Sequence, residues 1–257
     1  MGMAASLEGR GIELAFGGNK VLKGLDVEFR PGEITGLIGP NGAGKTSLFN
    51  CLTGAYRPQG GTITYGGSAL DGLPPAGRAN RGIVRSFQTV ALCPELNVLE
   101  NVMVGLARGY HSGWFNAFLP LPAGRREWAE MREAARETLA GLGLSEVADL
   151  LPLRLPPGTQ RLVEIARAIA GKPRVLLLDE PAAGLNNSET RDLTRTLRQI
   201  VSPHLVMVVV EHDMDLVMSI CDRIYVLNFG EFVACGTPAE VRSDPEVVRI
   251  YLGSVDD

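Results

Sequence analysis

Residues Gly39-Pro-Asn-Gly-Ala-Gly-Lys45-Thr46 fit the pattern G-x-x-x-x-G-K-[ST], between the apolar run Ile34–Ile38 and a helical pattern from Lys45 to about Leu52. Strand, glycine loop and helix in that order are compatible with few folds. The glycines let the backbone curl until its N–H groups point inward at phosphate oxygens, and the helix start adds its positive dipole end. Gly39, Pro40, Asn41, Gly42, Ala43 and Gly44 are the expected cradle, with Lys45, Thr46 and Ser47 at the helix start. Lys45 would neutralise the β- and γ-phosphates of a bound triphosphate, and Thr46 would offer its hydroxyl to Mg2+.

A second apolar run, Val175–Leu178, ends in Asp179-Glu180-Pro181. Two acids there sit at the C-terminal edge of a parallel sheet, where α/β folds bind ligands. Asp179 suits a carboxylate that holds Mg2+ through its water shell, and Glu180 suits a general base for an attacking water. Glu211-His212-Asp213 follows a third apolar strand, Leu205–Val210, so His212 is placed to reach a γ-phosphate and the same water. His111 and His204 have no such setting. Gln88, in Arg85-Ser-Phe-Gln88, follows a short strand at 82–84, and its neutral amide could touch both Mg2+ and water. Spacing alone does not distinguish it from a surface glutamine.

Charge and hydropathy exclude other classes. The 257 residues carry 25 Lys plus Arg against 29 Asp plus Glu, a net charge of −4. An acidic chain without a basic patch argues against nucleic acid as a partner. No apolar run approaches the ~18–20 residues of a membrane-spanning helix, and residues 1–11 lack the basic start and apolar stretch of a signal peptide. Cys51, Cys93, Cys221 and Cys235 are scattered, which fits four small buried hydrophobes in a reducing compartment rather than a disulfide frame or zinc site.

Periodicity gives the organisation. Short strands at 11–15, 26–29, 34–38 and 62–65 are joined by Gly-rich turns. Residues 125–142 place Trp128, Met131, Ala135, Leu139 and Leu142 on one helical face and charges on the other. A further helix is expected over 145–151, stopped by Pro152, then helices over 161–170 and 189–201. Thr237-Pro-Ala-Glu240 reads as a capping box. Near-continuous apolar strands imply a parallel sheet covered on both faces. The expected fold is a three-layer α/β core, 7–89 and 163–257, with residues 90–162 inserted as a helical subdomain.

These pieces, in this order, resemble the ATP-binding cassette (ABC) family over nearly the whole chain: Phe16, Gly39–Thr46, Gln88, Gly158–Gln160, Val175–Glu180, Gly184-Leu185-Asn186 and His212. Within the family the chain is most similar to the ATPases of branched-chain amino acid importers. Arg85-Ser-Phe-Gln88, Leu99-Glu-Asn-Val102, Ala182-Ala-Gly-Leu-Asn186, Glu211-His-Asp-Met214 and Tyr251-Leu-Gly253 carry that likeness.

The resemblance implies a P-loop NTPase core of RecA type with an N-terminal antiparallel β-subdomain, all within a single domain over 7–257. It implies a head-to-tail dimer of cassettes holding two ATP, each with Mg2+ near Thr46, Gln88 and Asp179. Phe16 would stack on adenine. Gly158 and Thr159 of the segment Leu155–Gln160 would face the ATP of the opposite cassette. Gln88 and the helical insertion would contact two integral membrane permease subunits, with an extracytoplasmic substrate-binding protein as an indirect partner. The chain would then lie at the cytoplasmic face of the plasma membrane as a peripheral ATPase. The sequence leaves open whether the second cassette is a sister chain or another copy. It also leaves open whether the cargo is a branched-chain amino acid, urea or an amide, another amino acid or a lipopolysaccharide. A soluble non-transport cassette protein is a further alternative, and a non-hydrolysing nucleotide-binding regulator is one that Lys45, Asp179, Glu180 and His212 argue against.

One departure stands out. Where the family usually has L-S-G-G-Q, this chain has Leu155-Pro-Pro-Gly-Thr159. Pro156 lacks the serine hydroxyl and Pro157 lacks an N–H. Either this face contributes less to hydrolysis at the opposite site, or the change is tolerated at no cost. The loop 110–122 carries Trp114, Phe115 and Phe118, which either dock on membrane subunits or tuck under the helical subdomain.

Overall fold

The computed structural model describes residues 5–86, 91–107 and 122–252. Gln88 and the three aromatics at 114, 115 and 118 lie outside the described residues.

Two sheets form the larger unit, which comprises the chain up to Arg85, Arg174–Pro181 and the chain from Leu197 on. Strands β1 (Leu7–Phe16), β2 (Asn19–Phe29), β4 (Gly60–Tyr65) and β5 (Ser68–Ala69) pair antiparallel in the order β2-β1-β4-β5. The N-terminal strand runs longer than the expected 11–15, because Gly11 takes φ +58° and opens a bulge instead of starting the strand. Leu7, Ile12, Phe29 and Ile63 bury this sheet against Leu48, Phe49 and Leu52. Those three lie on helix α1 (Lys45–Thr53).

The second sheet has six strands. They are β3 (Ile34–Ile38), β6 (Ile83–Arg85), β7 (Val175–Asp179), β8 (Val206–Val210), β9 (Arg223–Asn228) and β10 (Glu231–Gly236), in the order β10-β9-β3-β8-β7-β6. All pairings are parallel except that of β10 with β9. Every residue of β3, β7 and β8 is buried, as strands with no polar face require. Leu37 and Asp179 both pair with Val210, so Gly39, Glu180 and Glu211 leave the sheet side by side. Helices α2 (Pro75–Asn80), α7 (Met214–Ile220), α8 (Pro238–Ser243) and α9 (Pro245–Leu252) complete this unit. The expected capping box at the start of α8 is present between Thr237 and Glu240.

The second unit, Ser86–Pro173 with Ala182–Thr196, takes in the expected insertion and extends beyond it at both ends. Helices α3 (Val98–Leu106), α4 (Pro122–Gly141) and α5 (Pro157–Ala170) share a core of Val98, Val102, Leu139, Val163 and Ala166. A Cβ at Gly105 would collide with the carbonyl of Arg167, so α3 and α5 meet backbone to backbone. Helix α6 (Asn187–Ile200) begins in this unit.

Three expectations are corrected. Residues 145–151 are not an α-helix: a single 3-10 turn at Ser145–Val147 precedes another at Pro152–Arg154. Gly143 at φ +70° ends the long helix just before, and Pro152 leaves too little chain for two full α-turns. Helix α5 begins at Pro157, four residues earlier than expected, because a proline at the first helical position is favourable there. Of the four cysteines only Cys51 and Cys221 are buried; Cys93 and Cys235 are partly exposed, and all four are free thiols.

Candidate active site

The glycine loop occupies the gap between β3 and α1. Gly39 sits at φ +151°, and a Cβ there would strike the carbonyl of Leu227, so only glycine passes. Gly42 and Gly44 also take positive φ, at 81° and 98°. Gly44 caps α1 without a side chain, so no side-chain oxygen is spent on the first-turn N–H groups. Those donors and the dipole behind them are what an anion requires.

Lys45 is only 6% exposed. Its ammonium donates to the carbonyls of Gly39, at 2.6 Å, and Pro40, at 3.0 Å. Burial lowers its pKa, while the carboxylates of Glu180 and Asp179 pull it back up. Lys45 is thus a buried cation, held by loop carbonyls at the N-terminal end of α1, where an anion is favoured. Thr46 is exposed beside it.

Asp179 ends β7, buried, and its Oδ2 accepts from Arg85 Nη2 at 2.5 Å. Arg85 also donates to Asn50 Oδ1 and lies over the Phe49 ring, 5.6 Å from its centroid. Glu180, the next residue, holds the left-handed region at φ +47° while its N–H donates to the Val210 carbonyl at 2.9 Å. A non-glycine residue in that region costs about 1–3 kcal/mol and marks a place where side-chain direction matters. His212 Nε2 approaches Glu180 Oε1 to 2.9 Å. Asp213 caps α7 by accepting from the Leu216 N–H, which fixes the turn that carries His212.

Phe16 lies at the end of β1, exposed, edge-on to Tyr56 with centroids 5.3 Å apart. An exposed aromatic pair is a platform for a planar base. In the other unit, Gly158 is buried in the first turn of α5, and Thr159 follows it half-buried.

The structure therefore gathers Lys45, Asp179, Glu180 and His212 in the larger unit. Among the described residues no cluster of three or more His, Cys, Asp or Glu side chains could hold a metal alone. Mg2+ needs no such cluster, since it binds through one or two protein oxygens and substrate phosphates. Thr46, exposed at the start of α1, and Asp179, at the end of β7, are the residues that could offer it oxygens. Sequence reading left Arg85, Asn50 and Glu189 without roles. Arg85 had a visible signal, a charge ending a short apolar strand, but its partner depended on the pairing of β6 with β7.

Residues 22–183 match the ABC transporter family, and residues 233–257 match the family described as branched-chain amino acid ATP-binding cassette transporter. The chain is 46% identical, over 95% of its length and 96% of the relative's, to the high-affinity branched-chain amino acid transport ATP-binding protein LivG of Salmonella typhimurium. It is 43% identical to BraF of Pseudomonas aeruginosa, a protein of the same description, covering 96% of this chain and 97% of that one. Among solved structures, the ADP conformation of an ATP-binding cassette of an ABC transporter superposes with a TM-score of 0.83 at 31% identity, covering 97% of this chain and 99% of the other. A nucleotide-free cassette gives 0.82 at 32% identity, covering 96% and 98%.

Proposed function

The chain belongs to the ABC transporter family, and from that premise we propose that it is the ATP-hydrolysing subunit of a branched-chain amino acid importer. The observation that carries the chemistry is the shared sheet edge of Lys45, Asp179, Glu180 and His212. Relatives near 45% identity that bear the branched-chain name support the cargo.

The loop amides and Lys45 bind the phosphates of ATP and neutralise their charge. Phe16 takes the adenine face. Thr46 and Asp179 hold Mg2+, which when bound neutralises charge on the transferring phosphoryl group. Glu180 accepts a proton from the attacking water, and His212 holds that water and the γ-phosphate in line. Gln88 belongs with this set as a ligand to Mg2+ and water. Gly158 and Thr159 face the ATP of a second cassette, so two ATP close a head-to-tail pair. Closure drives two permease subunits, and hydrolysis reopens the pair. No helix among the described residues is long and apolar enough to cross a membrane. Membrane association then comes through the permease subunits.

Co-expression with the permease subunits and binding protein of a branched-chain amino acid importer tests this reading. The chain is expected in the membrane fraction, with leucine uptake into vesicles that requires internal ATP. Uptake of a different cargo in place of leucine contradicts the proposed substrate. A chain that stays in the soluble fraction contradicts the transport role.

A further inference from the structure

The segment Leu155–Gln160 offers few amides to anything outside the chain. Pro156 and Pro157 have no N–H. The Leu155 N–H donates to Pro152 and the Gln160 N–H donates to Pro156, both at 3.0 Å. The Gly158 N–H, in the first turn of α5, donates to Glu189 Oε1 at 3.0 Å, across 31 residues of sequence. The other oxygen, Glu189 Oε2, accepts from the Asn186 N–H at 3.0 Å. Asn186 Oδ1 in turn accepts from the N–H groups of Ser188 and Glu189, at 2.9 and 3.1 Å.

The pair Asn186 and Glu189 is thus a capping box at the start of α6. An ordinary box uses one carboxylate oxygen. Here the second oxygen reaches another helix, so one negative charge sits at two positive helix ends. Gly158 is shaped for this contact: a Cβ there would lie 2.6 Å from Glu189 Cγ.

We propose that Glu189 is a positioning residue that clips the N-terminus of α5 to the start of α6, so that Gly158 meets the opposite cassette in one fixed geometry. This rests on the reading that Gly158 faces a second cassette's ATP. Glutamine at 189 has one acceptor oxygen and can serve only one of the two amides. Alanine serves neither.

The experiment uses the full chain assembled with its transporter subunits. Glu189→Ala is expected to lower kcat about tenfold with KM for ATP unchanged, and Glu189→Gln to fall between it and wild type. Gly158→Ala, which pushes the carboxylate away, should reproduce the loss. Combining Gly158→Ala with Glu189→Ala should cost no more than the worse single change. A Glu189→Ala complex with kcat within twofold of wild type overturns the proposal, as do losses that multiply in the double variant. Binding of ATP to the wild-type chain, read by calorimetry, reports separately on the nucleotide site itself.

Discussion

His212 Nε2 stands 2.9 Å from Glu180 Oε1, joining the ends of two parallel strands through their side chains. The contact links the proposed base to the residue that would orient its water. His212→Ala is expected to reduce ATP turnover of the assembled complex about 100-fold or more, on the scale of acid–base and positioning effects. The side chain of His212 is 45% exposed, so the thermal midpoint should hardly move. A variant that hydrolyses ATP at the wild-type rate removes His212 from the mechanism.

Arg85 and Asp179 form an ion pair with side chains only 13% and 6% exposed. Removing one partner of such a pair strands the other charge. Arg85→Ala is expected to cost about 3–5 kcal/mol in urea unfolding. Arg85→Met with Asp179→Asn should recover most of that stability while losing Mg2+-dependent turnover. Full stability in Arg85→Ala alone would mean the pair is solvated.

Lys45 gives a pH-dependent prediction. Its folded pKa lies below the ordinary lysine value of 10.5, because burial disfavours the charge. The folded chain therefore binds fewer protons than the unfolded one between the two values, and stability rises with pH there. Below both values the two states are equally charged and the burial cost is fully present. Nucleotide-free Lys45→Met is expected to be at least as stable as wild type at pH 7. Its advantage should shrink toward pH 10.5. ATP at about 100 times Kd should stabilise wild type by about 2.7 kcal/mol and leave the variant nearly unmoved. Unfolding followed with and without ATP across pH checks both halves. A loss of apo stability in Lys45→Met at pH 7 contradicts the account.

The parts of this molecule legible in its sequence are those where one local pattern had one outcome. Strands β3, β7 and β8 show as unbroken apolar runs because both faces are covered. The glycine loop shows because only glycine tolerates the backbone angles of Gly39 and Gly44. Helix α3 buries Val98, Leu99, Val102 and Met103 on one face, but Asn101 is buried and Val104 is exposed, so residue polarity did not mark that face. Its Asn97 and Glu100 capping box was the local signal. The partners of Arg85 and Glu189 were hidden for a different reason. They depend on which strands and helices become neighbours, and local spacing does not state that. Adjacent Asp179 and Glu180 were visible, but the left-handed turn that separates their directions was not.

The most direct test of the central claim is ATP turnover and retention by Glu180→Gln in the assembled complex. With the proposed base gone and the phosphate cradle intact, ATP should bind with wild-type affinity, remain unhydrolysed and stay with the complex through size exclusion. Hydrolysis at the wild-type rate would show that Glu180 is not the base on which this account depends.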